Sequence, residues 1–297
     1  LERPMKAANF DYVRVASIDE ACQALADGGE DARIIAGGQT MIPLMAMRLA
    51  RPSLLIDIND VSELAGITVD GDHLVIRAGT RQADTLASEV AKTQLPLLAD
   101  ALSHVGHTQT RNRGTIGGSL VNADPSAEIP LIAQTLDATI VAQSTRGQRT
   151  IAAGDFFDSA MATTLAPDEC LVEARFPIWP SENTGFGFHE VSIRDSDFAL
   201  AAAAAQTTLD GNGNCQKLAV AICGASPAPL RLTIVEQTLA GSDLNDGAIK
   251  AACANIDDLI DPQSDVHADA AYRGRVAKVL AARAIGDARD RAKGMLA

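Results

Sequence analysis

The first residues that could do chemistry form a glycine-rich loop, residues 35–40, here called the first glycine loop. Its members are Ile35, Ala36, Gly37, Gly38, Gln39 and Thr40. Glycine lets the backbone approach a ligand closely, and free amides at a strand-to-helix turn can bind a phosphate. The spacing fits neither GxGxxG nor GxxxxGK[ST], the two common nucleotide-binding patterns. Alone, the loop is equally compatible with a tight turn and with a phosphate cradle.

A second glycine loop, residues 113–119, carries more hydrogen-bonding groups. It runs Arg113, Gly114, Thr115, Ile116, Gly117, Gly118 and Ser119. Its glycine pairs offer backbone donors, and its Thr and Ser offer hydroxyls. Arg111 and Arg113 could attract a diphosphate, pair with a partner's acids or remain solvated. Two such loops in one chain favour phosphate binding over two coincidental turns.

Two carboxylates follow the second glycine loop. Asp124 and Glu128 are four residues apart, and Asp124-Pro125 predicts the start of a helix, with proline in its first turn. On such a helix the two acids would share one face. There they could accept hydrogen bonds from ribose or ribityl hydroxyls, or simply cap the helix.

Other reaction chemistries find little support in the chain. The five cysteines are widely spaced and form no CxxC pair, so the sequence predicts no zinc site, no iron–sulfur cluster and no disulfide framework. No GxSxG or HExxH motif occurs. His73, His104, His107 and His267 are interpreted as structural or surface residues. Free thiols indicate a reducing compartment, and we expect a cytoplasmic protein.

The composition of the chain limits the kinds of molecule that it could bind. The chain has 297 residues, 47% of them hydrophobic, and a formal net charge of −13. This size permits two or three structural units. The acidic charge disfavours nucleic acid and anionic membranes, and no apolar run is long enough to predict membrane insertion.

The elements around the first glycine loop alternate between strand and helix. We expect strands at residues 10–15, 33–36 and 54–58. A capping box, Ser17 with Glu20, predicts a helix that ends at Gly28-Gly29, and a second helix is expected over residues 41–50. The first glycine loop thus joins a strand to a helix.

The middle of the chain mixes strands and helices. Strands are expected at residues 73–78, 139–143, 149–151 and 171–176, and helices at residues 82–91 and 95–105. We expect residues 139–143 and 149–151 to pair with each other. Residues 106–122 are expected to form a loop. Two prolines and two glycines in residues 177–187 indicate a linker or a domain boundary.

The last part of the chain predicts a sheet followed by helices. Strands are expected at residues 188–193, 199–209 and 218–223. The sequence DGNG at residues 210–213 indicates a hairpin turn. Because a hairpin turn joins two strands, we expect the alanine run before it to be a strand and not a helix. The tail from Leu230 predicts three amphipathic helices.

The two glycine loops together resemble the paired FAD signatures of one family. AGGQT (residues 36–40) and TIGGS (residues 115–119) are similar to those of the medium subunits of xanthine dehydrogenase and carbon monoxide dehydrogenase, which are molybdenum hydroxylases. EVSIRDSDFA (residues 190–199) is similar to the stretch that opens the family's C-terminal domain. DVHADAAYR (residues 265–273) is similar to its terminal helix. The resemblance covers nearly the whole chain.

The resemblance implies an α+β fold: an FAD-binding fold of two α/β subdomains, then a C-terminal domain of a small antiparallel sheet and a helical bundle. The corresponding boundaries are residues 1–60, 61–180 and 181–297. It also implies roles for single residues. Residues 35–40 and 115–119 would hold the diphosphate and nearby ribityl, Val105 would lie near the adenine, and Glu128 would lie near the cofactor. Leu171 would be an apolar contact.

By the same resemblance, His189 would lie beside the isoalloxazine. A neutral imidazole there could hydrogen-bond the flavin edge, and a charged one would stabilise a reduced anionic flavin. The alternative is a half-buried structural histidine at a domain boundary. Ile193 departs from the family, since many members carry a basic residue there beside the equivalent of Arg194.

The implied function is electron transfer by non-covalent FAD. A large subunit would carry the molybdenum cofactor and a small one two 2Fe–2S clusters, in a dimer of heterotrimers. This chain would pass electrons from the clusters to an external acceptor. Two alternatives stay open: a stand-alone FAD-dependent oxidoreductase of the same fold, and a cofactor-free interaction subunit.

Overall fold

A small parallel sheet opens the fold. The computed structural model describes residues 6–296. Its first elements are β1 (Asp11–Arg14), α1 (Ile18–Gly28), β2 (Ala32–Ile35), α2 (Met41–Ala46) and β3 (Leu54–Asp57). The strands lie in the order β1-β3-β2, all parallel. The predicted Ser17 cap is confirmed, because its hydroxyl accepts from the amide of Glu20. The reciprocal bond of a capping box is shifted by one residue, since the Glu20 carboxylate accepts from the amide of Ala16 and not from that of Ser17.

A five-stranded antiparallel sheet with helices beside it follows. Its strands lie in the order β4-β5-β10-β6-β7. The elements are β4 (Ile67–Asp70), β5 (His73–Arg77), α3 (Gln82–Ala87), α4 (Glu89–Gln94), α5 (Pro96–His104), α6 (Thr108–Arg113), α7 (Ile116–Asn122), α8 (Glu128–Thr135), β6 (Thr139–Ser144), β7 (Gly147–Ala152), α9 (Ala153–Phe156), β8 (Phe157–Ser159), β9 (Ala162–Thr163) and β10 (Cys170–Pro177). The predicted pairing of residues 139–143 with 149–151 is confirmed.

The chain ends in a four-stranded antiparallel sheet and three helices. These are β11 (Thr184–Val191), β12 (Ala201–Leu209), β13 (Cys215–Cys223), β14 (Leu230–Arg231), α10 (Thr233–Leu239), α11 (Asp246–Cys253) and α12 (Ala270–Ala292). The alanine run is a strand, as predicted. Ala202 and Ala204 belong to the core shared with the two preceding sheets, whereas Ala201 and Ala203 belong to the core beneath α12. Small side chains suit a strand buried on both faces.

Glycine brings α12 very close to this sheet. A Cβ built on Gly185 would lie 2.1 Å from the carbonyl oxygen of Ala288, and one on Gly187 would lie 2.2 Å from that of Ala284. The helix therefore packs on β11 backbone against backbone. Residues 184–187 belong to β11, so the end of the segment predicted as a linker or domain boundary, residues 177–187, is strand.

The segment between α5 and β6 differs most from expectation. Residues 106–122 do not form one loop, because α6 and α7 lie within them. Thr115 caps α7 by accepting from the amide of Gly118. The helix expected from Asp124-Pro125 begins instead at Glu128. The Asp124 carboxylate accepts from the amide of Ser126 at 2.9 Å and closes a turn before the helix. The two acids therefore do not share one helix face.

Three further boundaries are corrected. The helix predicted at residues 82–91 is broken at Ser88, whose hydroxyl caps α4. The helix predicted at residues 41–50 ends at Ala46, and Arg48 follows with a φ of 60°. The helical tail is preceded by the short strand β14. Local hydrogen bonds and pairing with β13 determine these ends, and helical periodicity does not reveal them.

All five cysteines are buried free thiols. Within residues 6–296, no group of three or more His, Cys, Asp and Glu side chains is arranged to hold a metal ion. In the same range, no helix is long and apolar enough to cross a bilayer.

Candidate FAD site

The first glycine loop lies where β2 gives way to α2, and its amides are unpaired. Gly38 has a φ of 72°, which glycine adopts without strain. The carbonyl of Gly38 accepts from the amide of Ile42 and so begins α2. Among the described residues, no hydrogen bond is donated by the backbone amides of residues 37–40. These donors are free for an anionic ligand.

The second glycine loop is different, because its amides are already used. The amide of Ile116 donates to Thr80 at 3.0 Å, that of Gly117 donates to Ala78 at 2.8 Å, and that of Ser119 donates to the carbonyl of Thr115 at 3.2 Å. The amide of Gly118 donates to the Thr115 hydroxyl at 3.0 Å. These glycines serve packing: a Cβ on Gly117 would lie 2.6 Å from that of Ala78.

The two loops touch each other directly. A Cβ on Gly37 would lie 2.1 Å from the carbonyl oxygen of Arg113 and 3.0 Å from the Cα of Gly114. Only glycine permits this approach. The first glycine loop thus presents its free amides next to the exposed start of the second, where Gly118 is also exposed. This geometry fits a diphosphate held at the junction of the loops.

Two side chains join the loops from one side. Asn59, just after β3, donates from Nδ2 to the carbonyl of Ala36 at 2.9 Å. Arg81, just after β5, donates to Oδ1 of Asn59 at 2.7 Å and to the carbonyl of Arg113 at 2.5 Å. Burial, followed by the positive charge of Arg113, lowers the pKa of Arg81. Two guanidinium groups near each other make this junction cationic in a chain whose net charge is −13.

A buried carboxylate supports Asn59. Asp57 is only 5% exposed and accepts from Tyr12 at 2.5 Å, from Arg14 at 2.9 Å and from the amide of Asn59 at 2.9 Å. Burial would raise the pKa of Asp57, but hydrogen bonds from Tyr12, Asn59 and Arg14 outweigh it and lower the pKa to about 2. The carboxylate is therefore ionised at neutral pH and fixes the turn that carries Asn59.

A cleft opens beside this junction. It has a volume of about 420 Å³, and its lining includes Asn59, Gly66, Gly79, Arg81 and Asp84. A smaller cavity of about 30 Å³ is lined by Ala36, Asn59, Arg81 and Thr115, among others, and reaches the loops themselves. Glycine loops, cationic side chains and an adjoining cleft form the described site.

The predicted acids do not lie together on a helix. Glu128 is buried at the start of α8, 5% exposed, and Asp124 lies in the turn before it. Burial raises the pKa of Glu128 to about 7, with a smaller contribution from Asp124. Burial also raises the pKa of Glu190 to about 8, followed by the charges of Glu128 and Asp195. One oxygen of Glu190 is buried without a hydrogen-bond partner.

The other predicted residues lie at separate places. Leu171 is buried in β10, next to Val172, whose carbonyl accepts from Ala78 behind the second glycine loop. Val105 ends α5, and its carbonyl accepts from Arg111 at 2.9 Å. His189 is hydrogen-bonded through Nε2 to Asp287 of α12 at 2.9 Å. Its imidazole is therefore engaged by the C-terminal helix.

Sequence reasoning missed Asn59, Arg81 and Asp57. Each of them lies at or just after the end of a strand, where polar side chains gather along one edge. A polar residue at or just after the end of a predicted strand is a signal that can be found in the sequence. Their pairing could not be foreseen, since it joins two different sheets.

Family models match both parts of the chain. Residues 8–179 match the family model described as the FAD binding domain in molybdopterin dehydrogenase. Residues 186–288 match the model described as the CO dehydrogenase flavoprotein C-terminal domain. Together the two models cover most of the chain.

Similar proteins match over their full length. The chain is 39% identical to the 6-hydroxypseudooxynicotine dehydrogenase complex subunit alpha of Paenarthrobacter nicotinovorans, covering 97% of each chain. It is 34% identical to the carbon monoxide dehydrogenase medium chain of Afipia carboxidovorans, covering 97% of this chain and all (100%) of that one. It also superimposes on a chain of carbon monoxide dehydrogenase from Hydrogenophaga pseudoflava with a TM-score of 0.93 at 33% identity, covering 96% and 99%.

The fold and the glycine loops define an FAD-binding flavoprotein, a component of an oxidoreductase. The chain belongs to the family of FAD-binding medium subunits of molybdenum hydroxylase complexes. This confirms the expected α+β fold and the expected FAD cofactor. The two similar proteins are named as parts of larger enzymes, one as subunit alpha of a dehydrogenase complex and the other as a medium chain.

Proposed function

We propose that this chain holds FAD non-covalently at the junction of its two glycine loops and carries electrons from 2Fe–2S clusters of a partner subunit to an external acceptor. The observation that carries the proposal is the set of free amides in the first glycine loop, held against Arg113 of the second. FAD, when bound, supplies two-electron redox chemistry.

The residues of the chain divide this task. The amides of residues 37–40 donate to the diphosphate, and the cation pair Arg81 and Arg113 balances its charge. The second glycine loop contributes less through its amides, which are occupied, and more through shape, with Gly118 and Ser119 on its accessible side. Thr115 and Ile116 hold that loop in place.

Further roles follow the resemblance. We assign Val105 to the adenine side, Asp124 and Glu128 to hydroxyls of the cofactor, and Leu171 and His189 to the isoalloxazine. The His189 role requires its ring to serve the flavin while Asp287 holds Nε2. We also assign residues 1–60 and 61–180 to two FAD-binding subdomains and residues 181–297 to a C-terminal domain.

The organic substrate would be handled elsewhere in the complex. We propose a large molybdopterin subunit and a small 2Fe–2S subunit as partners, in a cytoplasmic dimer of heterotrimers. The medium chain of carbon monoxide dehydrogenase and the subunit of 6-hydroxypseudooxynicotine dehydrogenase, similar over nearly their full length, are named as parts of such multi-subunit enzymes.

The visible absorption spectrum of the purified chain tests the proposal, recorded before and after incubation with FAD and removal of free cofactor. We expect oxidised-flavin bands without the broad absorption of iron–sulfur clusters. Denaturation should release the flavin, because it is not covalently attached. Failure to retain flavin, both alone and after co-expression with the neighbouring subunits, would contradict FAD binding. Turnover of a small organic substrate by the chain alone would contradict the electron-transfer role.

A further inference from the structure

We propose that Asn59 and Arg81 are positioning residues, a bracket that sets the spacing of the two glycine loops and thereby the fit of the FAD diphosphate; this rests on the proposed function. The bracket is defined by three contacts. Asn59 holds the carbonyl of Ala36, Arg81 holds the carbonyl of Arg113, and the two side chains hold each other.

The bracket joins parts of the chain that share no strand pairing. Ala36 follows β2 of the parallel sheet, whereas Arg113 ends α6 beside the antiparallel sheet. The close approach of Gly37 to Arg113 and Gly114 brings the loops together at one point, and a contact at one point does not set the angle between the loops. Two hydrogen-bonded side chains acting on two carbonyls restrain that angle.

Both ends of the bracket are themselves fixed. Asn59 is held by Asp57, which accepts from its amide and, at 2.5 Å, from its side chain. Arg81 forms a backbone bridge with Thr115. Asn59 is exposed and buries no core surface, so its side chain contributes little to the stability of the fold. Such a residue is suited to shaping a ligand site.

The effect of substituting Arg81 distinguishes a role in positioning the loops from a role of its positive charge alone. A guanidinium donates from two nitrogens to two acceptors in a fixed plane, and an ammonium cannot reproduce this fork. Arg81→Lys keeps the positive charge but loses one of the two contacts. If Arg81 acted only by attracting the diphosphate, Arg81→Lys would bind FAD like the parent chain.

The test measures the FAD dissociation constant by flavin fluorescence, at two salt concentrations, for the full chain and its variants. We expect Arg81→Gln, Arg81→Lys and Asn59→Ala each to weaken FAD binding about tenfold or more. The melting temperature of the apoprotein should stay close to that of the parent chain. Arg149→Gln is the matched control, because Arg149 forms an ion pair with Glu169 at 2.6 Å, away from the loops.

A double-mutant cycle sharpens the test. Because the bracket restrains the loops only when both side chains are present, Asn59→Ala with Arg81→Gln should cost little more than the worse single variant. Arg149→Gln with Arg81→Gln should be additive. Parent-like affinity in Asn59→Ala and Arg81→Lys, with FAD bound by the parent chain, would overturn the bracket and leave the proposed function intact. Absence of FAD binding in the parent chain and in its assembled complex would overturn both.

Discussion

The two glycine loops look alike in sequence but are built for different tasks. In the first, the amides of residues 37–40 donate no hydrogen bond within the described part of the chain. In the second, the amides of residues 116–119 are all taken by Thr80, Ala78 and Thr115. A pair of glycines therefore does not identify a phosphate cradle by itself. What distinguishes the loops is whether neighbouring elements have already used the amides.

The two loops also require glycine for different reasons. Gly37 permits one loop to touch the other, at the carbonyl of Arg113. Gly117 permits α7 to pack on the end of β5, at Ala78. The first contact belongs to the proposed FAD site, and the second belongs to the core. Substitutions at the two positions should accordingly affect different measurements.

The largest expected effect is on cofactor affinity. In Gly37→Ala the new Cβ would overlap the carbonyl oxygen of Arg113, only 2.1 Å away, so the loops must separate. We expect FAD binding to weaken by about a hundredfold, equivalent to about 3 kcal/mol. Fluorescence titration measures this. Gly154→Ala is the control, since nothing lies within 4 Å of a Cβ there. Parent-like affinity in Gly37→Ala would remove the contrast between the loops.

A smaller effect, on stability, is expected from Gly117→Ala. Its Cβ would meet the Cβ of Ala78 at 2.6 Å and the carbonyl of that residue at 2.7 Å. Overpacking against backbone should lower the free energy of unfolding by about 2 kcal/mol. Denaturant unfolding of the apoprotein measures it. Gly286→Ala, in α12 with open space around it, should leave stability unchanged or slightly raise it.

Removing the cap of α7 should cost less. Thr115→Ala deletes the hydroxyl that accepts from the amide of Gly118, and a lost N-cap costs about 1 kcal/mol. Thr115→Ser keeps the acceptor and should retain most of that stability. Equal unfolding midpoints for the Ala and Ser variants would show that the second glycine loop does not depend on this cap.

The smallest effect depends on pH and lies outside the loops. Burial, with Glu128 and Asp195, raises the pKa of Glu190 from 4.5 to about 8. As the pH rises, the carboxyl group of Glu190 loses its proton near pH 4.5 in the unfolded chain but only near pH 8 in the folded protein. The free energy of unfolding therefore falls between pH 4.5 and pH 8, and the full loss is present above pH 8. Glu190→Gln should raise the melting temperature by a few degrees at about pH 9 and by less at about pH 5.

Glu182→Gln is the control for that pH experiment, because it makes the same substitution at an exposed position. A pH-independent shift in Glu190→Gln would mean that the carboxyl group of Glu190 titrates in the folded protein as it does in the unfolded chain.

Much of the fold could be predicted from local patterns. The DGNG turn identified β12 as a strand against the helix propensity of its alanines, and burial on both faces explains why alanine is tolerated there. The helices α6 and α7 were missed. Glycine and polar residues suggest a loop, and only tertiary contacts such as Gly117 on Ala78 make a helix of them.

The candidate site could be predicted in part. The first glycine loop follows a strand and precedes a helix, as expected, so its place in the fold was accessible from sequence. Asp124 was misplaced, because its side chain closes a turn instead of capping a helix. Asn59 and Arg81 were missed, since each follows a different strand and only the packed sheets bring the two side chains together.

Hydrogen–deuterium exchange with and without FAD tests most directly whether the first glycine loop supplies the diphosphate donors. We predict that FAD slows exchange of the amides in residues 37–40, which are free in the described structure. Exchange in residues 116–119 should change little, because those amides are already hydrogen-bonded. Bound FAD that protects residues 116–119 and leaves residues 37–40 unprotected would contradict this assignment.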